Sequence, residues 1–240
     1  MFKKYLSLAL TVALLVVLAV GCDGKASVAE KKFVDKTISV DSFDPNDFSS
    51  KIIESMSPSF SKLYKDQSEL YEVATNVVYG TVKDTAYFDE SGAAHILYDF
   101  AIDEVYKGSL NEGDVISVLT LGGYVRLSKY IEVYGNTRFE DYTDEQINAT
   151  VMESDNMGIP TPEVGDKYLL FLSDPIADEA PFPNGAYVEK GSFMGRYAEQ
   201  GDEFVRYKPE SEPDFYLGAE EKISKTSVEV NLKKAKDEIK

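Results

Sequence analysis

Val77-Val78-Tyr79-Gly80-Thr81-Val82, then Asp89-Glu90-Ser91-Gly92, then His95-Ile96-Leu97-Tyr98-Asp99-Phe100-Ala101-Ile102-Asp103 decide the fold class of this chain. The first run is dense in β-branched and aromatic residues, which suit a pleated surface. The second is a turn signal. In the third, Ile96, Tyr98, Phe100 and Ile102, with Tyr106 beyond them, fall on one face, and His95, Asp99 and Asp103 fall on the other. A period of two belongs to strands and not to helices, so the spacing predicts a paired strand, half-buried, with a solvated polar face.

Working outward, Lys107-Gly108-Ser109 and Asn111-Glu112-Gly113-Asp114 connect to another strand pattern at Val115–Leu121. Tyr168-Leu169-Leu170-Phe171-Leu172 has no polar face, which predicts a strand buried on both sides. Ala186–Val188, Phe193–Tyr197 and Glu203–Tyr207 supply further strands, punctuated by Gly191, Gly195 and Gly201. Many short strands with Gly-rich turns predict a mainly β fold with a few helices, closed as a barrel or stacked as a sandwich. A helix is expected after Asp66, where Glu69 has capping-box spacing and Leu70, Val73 and Ala74 share a face. Thr226 and Glu229 have the same spacing, and Val228, Leu232, Ala235 and Ile239 form a stripe that predicts a helix over about 226–240. Val228–Leu232 also alternates like a strand, but Lys233, Lys234 and Lys236 suit the last turns of a helix.

Between the strands, residues 126–163 make an insertion too long for an ordinary loop. It carries eight acids against Arg126, Lys129 and Arg138, and Thr143 with Gln146 marks a helix start inside it. Tyr124, Tyr130, Tyr134 and Tyr142 crowd it. Tyrosine gives contact area at low entropic cost, so Tyr134, Arg138 and Tyr142 are candidate partner-binding residues. Packing of the insertion onto the strands is an equally good account of the tyrosines.

Composition bounds the chemistry. The 240 residues hold 25 Lys+Arg against 42 Asp+Glu, a formal charge of −17, and this balance argues against nucleic acid as a partner. An apolar fraction of 43% supports a packed core. One Cys and one His can form neither an intramolecular disulfide nor a structural zinc site. His95 reads as a solvated surface residue. No Gly-x-Ser-x-Gly elbow or phosphate-binding glycine loop is present. No cofactor is expected; calcium is the one ion with any support, through Asp41, Asp44 and Asp47 or Asp141, Asp144 and Glu145, neither set having an EF-hand pattern.

The N-terminus carries an address. Lys3 and Lys4 precede an almost wholly apolar run, Tyr5 to Val20, somewhat short for a bilayer span. Leu18-Ala19-Val20-Gly21-Cys22 then resembles the lipobox of bacterial lipoproteins, although Ala19 stands where that pattern prefers Leu. The resemblance implies lipidation of Cys22, with the signal cut after Gly21. Diacylated anchors hold a protein stably on a membrane. The expected organisation is a signal peptide over 1–21, a lipid anchor and polar tether over 22–57, and a single domain over 58–240.

The order of helix, Val77–Val82, paired strand ending in Tyr106-Lys107-Gly108, and Gly165-Asp166-Lys167-Tyr168-Leu169-Leu170 resembles uncharacterised lipoproteins of Gram-positive bacteria. More remotely it resembles the netrin/TIMP-like module. That resemblance implies an OB-like barrel of five to six strands, with the helical insertion before Tyr168 and a C-terminal helix. TIMP inhibitors use a free N-terminal Cys and disulfides, so inhibition is not carried over to this chain. The expected function is a lipid-anchored, non-catalytic binding module on the extracytoplasmic face of the cell membrane, with a protein or envelope polymer as partner. The alternative is a carboxylate-dependent hydrolase acting on envelope glycans; a solute-binding lipoprotein would need two lobes and more length.

Overall fold

The computed structural model describes residues 34–55, 62–155, 158–177, 182–207 and 222–238. The signal segment, Gly21 and Cys22 lie outside them. Twelve strands appear among the described residues: β1 (Val34–Lys36), β2 (Ser50–Ser55), β3 (Asn76–Glu90), β4 (Ala93–Lys107), β5 (Asp114–Leu121), β6 (Gly123–Arg126), β7 (Thr150–Asp155), β8 (Lys167–Leu172), β9 (Tyr187–Val188), β10 (Arg196–Gln200), β11 (Glu203–Arg206) and β12 (Lys222–Ser224). The α-helices are α1 (Gln67–Val73), α2 (Leu127–Tyr134), α3 (Asp144–Asn148) and α4 (Lys225–Glu238), so the fold is mainly β.

The stretch that decided the fold class is the long hairpin β3–β4, the spine of a main sheet ordered β1-β5-β4-β3-β8-β10-β11-β12. Its turn places Ser91 and Gly92 at φ 54° and 73°, the left-handed region that a two-residue hairpin loop requires. Beside β5 lies β9, running parallel to it through Val118↔Tyr187 and Leu119↔Val188. A single bridge, Leu172↔Glu189, links the end of β9 to β8. It is reinforced by Ser173 N donating to Val188 O at 2.9 Å and Lys190 N to Phe171 O at 2.7 Å. Among the described residues, no continuous ladder closes the main sheet on itself.

The double-sided burial expected at Tyr168–Leu172 is present. Leu169 and Phe171 join a core with Leu70, Val77, Met194 and Leu232, while Tyr168, Leu170 and Leu172 join another with Val78, Ile96, Phe100 and Ile116. The half-buried reading of β4 needs two corrections. First, the register with β3 steps from Ile102 to Glu104, so Asp103 is an extra residue in the ladder. One extra residue inverts the alternation. Tyr106 therefore packs in the first core and not beside Ile96, Tyr98, Phe100 and Ile102. Second, the opposite face is covered. Leu97 clusters there with Phe88, Leu119 and Ala186, against Ile38, Val40, Ile176 and Val188.

Part of that cover, Ile38 and Val40, comes from residues expected to be a polar tether. Residues 34–55 belong to the folded unit: β1 pairs with β5, Phe43 bridges to Tyr87, and β2 runs parallel to β7. The folded unit thus starts well before residue 58. The insertion is also more than a helical loop. It contains α2, α3 and β7, and β7 is the middle strand of a second sheet ordered β2-β7-β6.

The helix starts follow local hydrogen bonding. Asp66 Oδ1 accepts from Ser68 N and Glu69 N, while Glu69 reaches back to Lys65 N. Thr143 and Gln146 form a complete capping box on α3. The C-terminal segment is helical, with Val228 and Leu232 buried, but it starts at Lys225. Ser224, not Thr226, caps it by accepting from Ser227 N. Ile239, within the expected range, lies outside the described residues.

One polar knot sits inside this apolar frame. The Glu189 carboxylate, fully buried, accepts from Tyr98 Oη at 2.6 Å and Thr120 Oγ1 at 3.1 Å, and meets Arg196 Nη1 at 3.3 Å. Arg196 in turn donates to Pro160 O and lies over the Tyr168 ring. Every member of this network has a partner, which is the condition for burying charge without a prohibitive penalty.

Candidate functional site

The insertion begins at Arg126, the last residue of β6 in the second sheet, and its start is clamped. Arg126 N and Nε donate to Asp89 Oδ2 at 2.9 and 2.8 Å, and Nη2 donates to Oδ1 at 2.5 Å. The Asp89 side chain is completely buried, so the pair fixes α2 against the tip of the β3–β4 hairpin. The hydrogen bonds to Asp89 hold the Arg126 guanidinium above its ordinary pKa despite partial burial. The hairpin tip is shaped for this contact. A Cβ on Gly92 would lie 3.0 Å from both Val133 Cβ and the Tyr134 ring, so a side chain there would push against the helix.

Helix α2 turns Leu127 into a small core with Ala94, Val125, Phe139 and Met152, and ends at Gly135, whose N–H returns to Ile131 O. Its last turn leaves Val133 51% and Tyr134 60% exposed. The chain then comes back under the helix. The Tyr134 ring meets Tyr130 at 4.8 Å, Tyr130 meets Phe139 at 6.2 Å, and Phe139 meets Tyr142 at 5.5 Å. Arg138 lies over the Phe139 ring and makes a two-pronged bond to Glu54 of β2, at 2.8 and 2.9 Å. That bond lowers the Glu54 pKa and raises that of Arg138.

The three residues singled out from the sequence therefore lie along one aromatic ledge. Tyr130 and the buried Phe139 connect them. Tyr124 does not belong: its ring packs edge-on against Tyr87 and its hydroxyl donates to Glu153. Sequence reasoning missed Phe139 and Glu54. Phe139 had a signal, as an aromatic residue isolated in an acidic run. Glu54 had none, because its partner stands 84 residues away.

A pocket of about 220 Å³ opens beside the ledge. Gly92, Ala93 and Ala94 line it from the hairpin, Val125, Met152 and Ser154 from the second sheet, and Tyr130 and Tyr134 from α2, with Glu54 as its carboxylate. Ser154 is 9% exposed, and among the described residues its Oγ has no hydrogen-bond partner. A second cleft of about 440 Å³ also borders Gly92 and is lined by Asp41, Asp89, Arg126, Lys129 and Phe182 among others. Its cations are already engaged: Arg126 with Asp89 and Asp41, and Lys129 with Glu132.

His95 is not the solvated residue its alternation suggested. It is 3% exposed, stacks on Phe88 at 5.3 Å and meets Phe182 edge-on at 5.4 Å, and among the described residues its Nδ1 has no partner. Burial pushes its pKa down, against an opposing hydrogen bond to the Glu90 backbone. The acids weighed for calcium have local roles. Asp44 accepts from Asn46 N and Nδ2, Asp41 faces Arg126, and Asp144 and Glu145 sit in the first turn of α3. Among the described residues, no group of three or more His, Cys, Asp or Glu side chains could hold a metal ion, and no helix is long and apolar enough to cross a membrane. No protein-family model matches the chain, and no curated protein matches it in sequence.

Proposed function

We propose that this chain is a lipid-anchored binding module on the extracytoplasmic face of a bacterial cell membrane, and that it engages a protein or envelope-polymer partner through the Tyr134–Arg138–Tyr142 ledge. The observation that carries the reading is the exposure of Tyr134, Val133 and Tyr142 on a support clamped by Arg126–Asp89 and Arg138–Glu54. Aromatic side chains on a rigid base offer large contact area with little entropy left to lose on binding. The lipobox-like Val20-Gly21-Cys22 supports the anchor, and the acidic charge suits a protein facing away from an anionic leaflet.

An OB-like barrel is the scaffold we propose beneath it. Support comes from the pairing circuit: β5–β4–β3–β8 are antiparallel neighbours, β9 is parallel to β5, and the Leu172↔Glu189 bridge joins β8 to β9. Helices α2 and α3 fall between the third and fourth strands of that circuit, the place the netrin/TIMP-like resemblance gives to the insertion.

The test replaces Tyr134, Arg138 and Tyr142 together by Ala and measures capture of partners from envelope extract alongside thermal stability. Capture should be lost while the melting temperature stays within a few degrees, because all three side chains are exposed and a largely exposed pair such as Arg138–Glu54 contributes at most about 1 kcal/mol. Surviving capture would remove the ledge from the binding surface.

A further inference from the structure

From the pocket beside the ledge, we infer that it is an anchor site for one lysine side chain of a protein partner. The inference rests on the reading of the ledge as the partner-facing surface and names what that surface grips. Size comes first. Pockets for free drug-sized ligands run to about 300–1,000 Å³, and this one is about 220 Å³. At roughly 30 Å³ per water it displaces about seven waters, the scale of a single long side chain.

The lining selects among side chains. Val125 and Met152 offer apolar surface to an aliphatic stem, and the Tyr130 and Tyr134 rings attract a cation through their electron-rich faces. The polar groups are acceptors for an ammonium. Ser154 Oγ is buried without a partner among the described residues and has lone pairs to offer. The Glu54 carboxylate gives one oxygen to each arm of Arg138 and keeps acceptor capacity on both. An apolar side chain would leave the Ser154 hydroxyl unsatisfied. A compact ammonium with three donors answers both groups at once.

Charge on the approach points the same way. Glu132, Glu140, Asp141, Asp144 and Glu145 are exposed on the insertion, against Lys129 and Arg138, which already hold Glu132 and Glu54. A basic partner is drawn toward this face before contact, with an on-rate that falls as salt rises.

The experiment titrates the full chain, isotope-labelled, with n-butylammonium chloride, and follows chemical shifts by NMR. Sodium butyrate and n-butanol serve as the anionic and uncharged probes of the same length. The expected result is saturable shifts at Tyr130, Tyr134 and Ser154 with n-butylammonium alone, with a Kd on the order of millimolar for so small a probe. Glu54→Gln and Ser154→Ala, both small changes, should each weaken it about fivefold or more. Equal shifts from n-butanol would overturn the inference in favour of an apolar anchor. Absence of n-butylammonium shifts, with envelope capture still lost in the Tyr134, Arg138 and Tyr142 triple variant, would overturn the pocket and leave the ledge standing. Saturable n-butylammonium binding with capture intact in that variant would overturn both readings, because Tyr134 lines the pocket and the partner would then be held elsewhere.

Discussion

Glu189→Leu is the perturbation whose cost can be worked out most fully. The Glu189 carboxylate is the shared acceptor for Tyr98, Thr120 and Arg196, and Glu189 also makes the bridge between β9 and β8. Leucine removes all three acceptor contacts and leaves the Arg196 charge, 2% exposed, without its counter-ion. Breaking a buried ion pair from one side costs about 3–5 kcal/mol, and each buried hydroxyl left unsatisfied costs about 1–3 kcal/mol. These terms overlap, and Arg196 keeps Pro160 O and the Tyr168 ring. A net loss of about 4–6 kcal/mol follows, or about 10–20 °C in melting temperature for a chain of this size. The assay is urea unfolding of the wild type, Glu189→Leu, Arg196→Met and the double variant. Removing both charges should recover at least about 2 kcal/mol relative to Glu189→Leu, because the orphaned cation is gone. A single-variant cost below about 1 kcal/mol, or a double variant whose cost is the sum of the singles, would refute the reasoning.

Three further outcomes follow from other parts of the molecule. Gly92→Ala should cost about 1–2 kcal/mol from its positive φ, with added crowding against Val133 and Tyr134, and hydrogen exchange should show α2 losing protection first. His95 has a depressed folded-state pKa, so the unfolded chain takes up the proton first. Its stabilising contribution is therefore complete above an unfolded value of about 6.5 and is lost as pH falls from there through the folded pKa; His95→Phe should flatten that limb of a stability–pH curve. Cys22→Ala should leave an unprocessed or unacylated chain, read by intact mass; an acylated, processed product would contradict the lipobox reading.

How far the fold was legible depended on how local its causes are. The cap at Asp66, the capping box at Thr143 and Gln146, the helical stripe through Val228 and Leu232, and the two-sided burial of Tyr168–Leu172 each follow from a few adjacent residues. The phase of β4 does not. The extra residue Asp103 has no compositional mark, yet it sends Tyr106 to the other core. Nor could the alternation around His95 reveal that Ile38 and Val40, far earlier in the chain, cover its supposed polar face. The parallel pairing of β2 with β7 joins segments about a hundred residues apart, which is why residues 34–55 resembled a tether. The site was legible in the same measure. Tyr134, Arg138 and Tyr142 share one stretch of sequence, whereas Glu54 and Ser154, which complete the pocket, arrive through that long-range pairing.

The central claim is that the ledge is where this protein meets its partner, and photo-crosslinking in intact cells tests it most directly. A photoreactive amino acid at Tyr134 should give one defined adduct, while the same probe at Val164, 64% exposed and outside the ledge, should give none. No adduct at position 134, or equal adducts at both positions, would contradict the account.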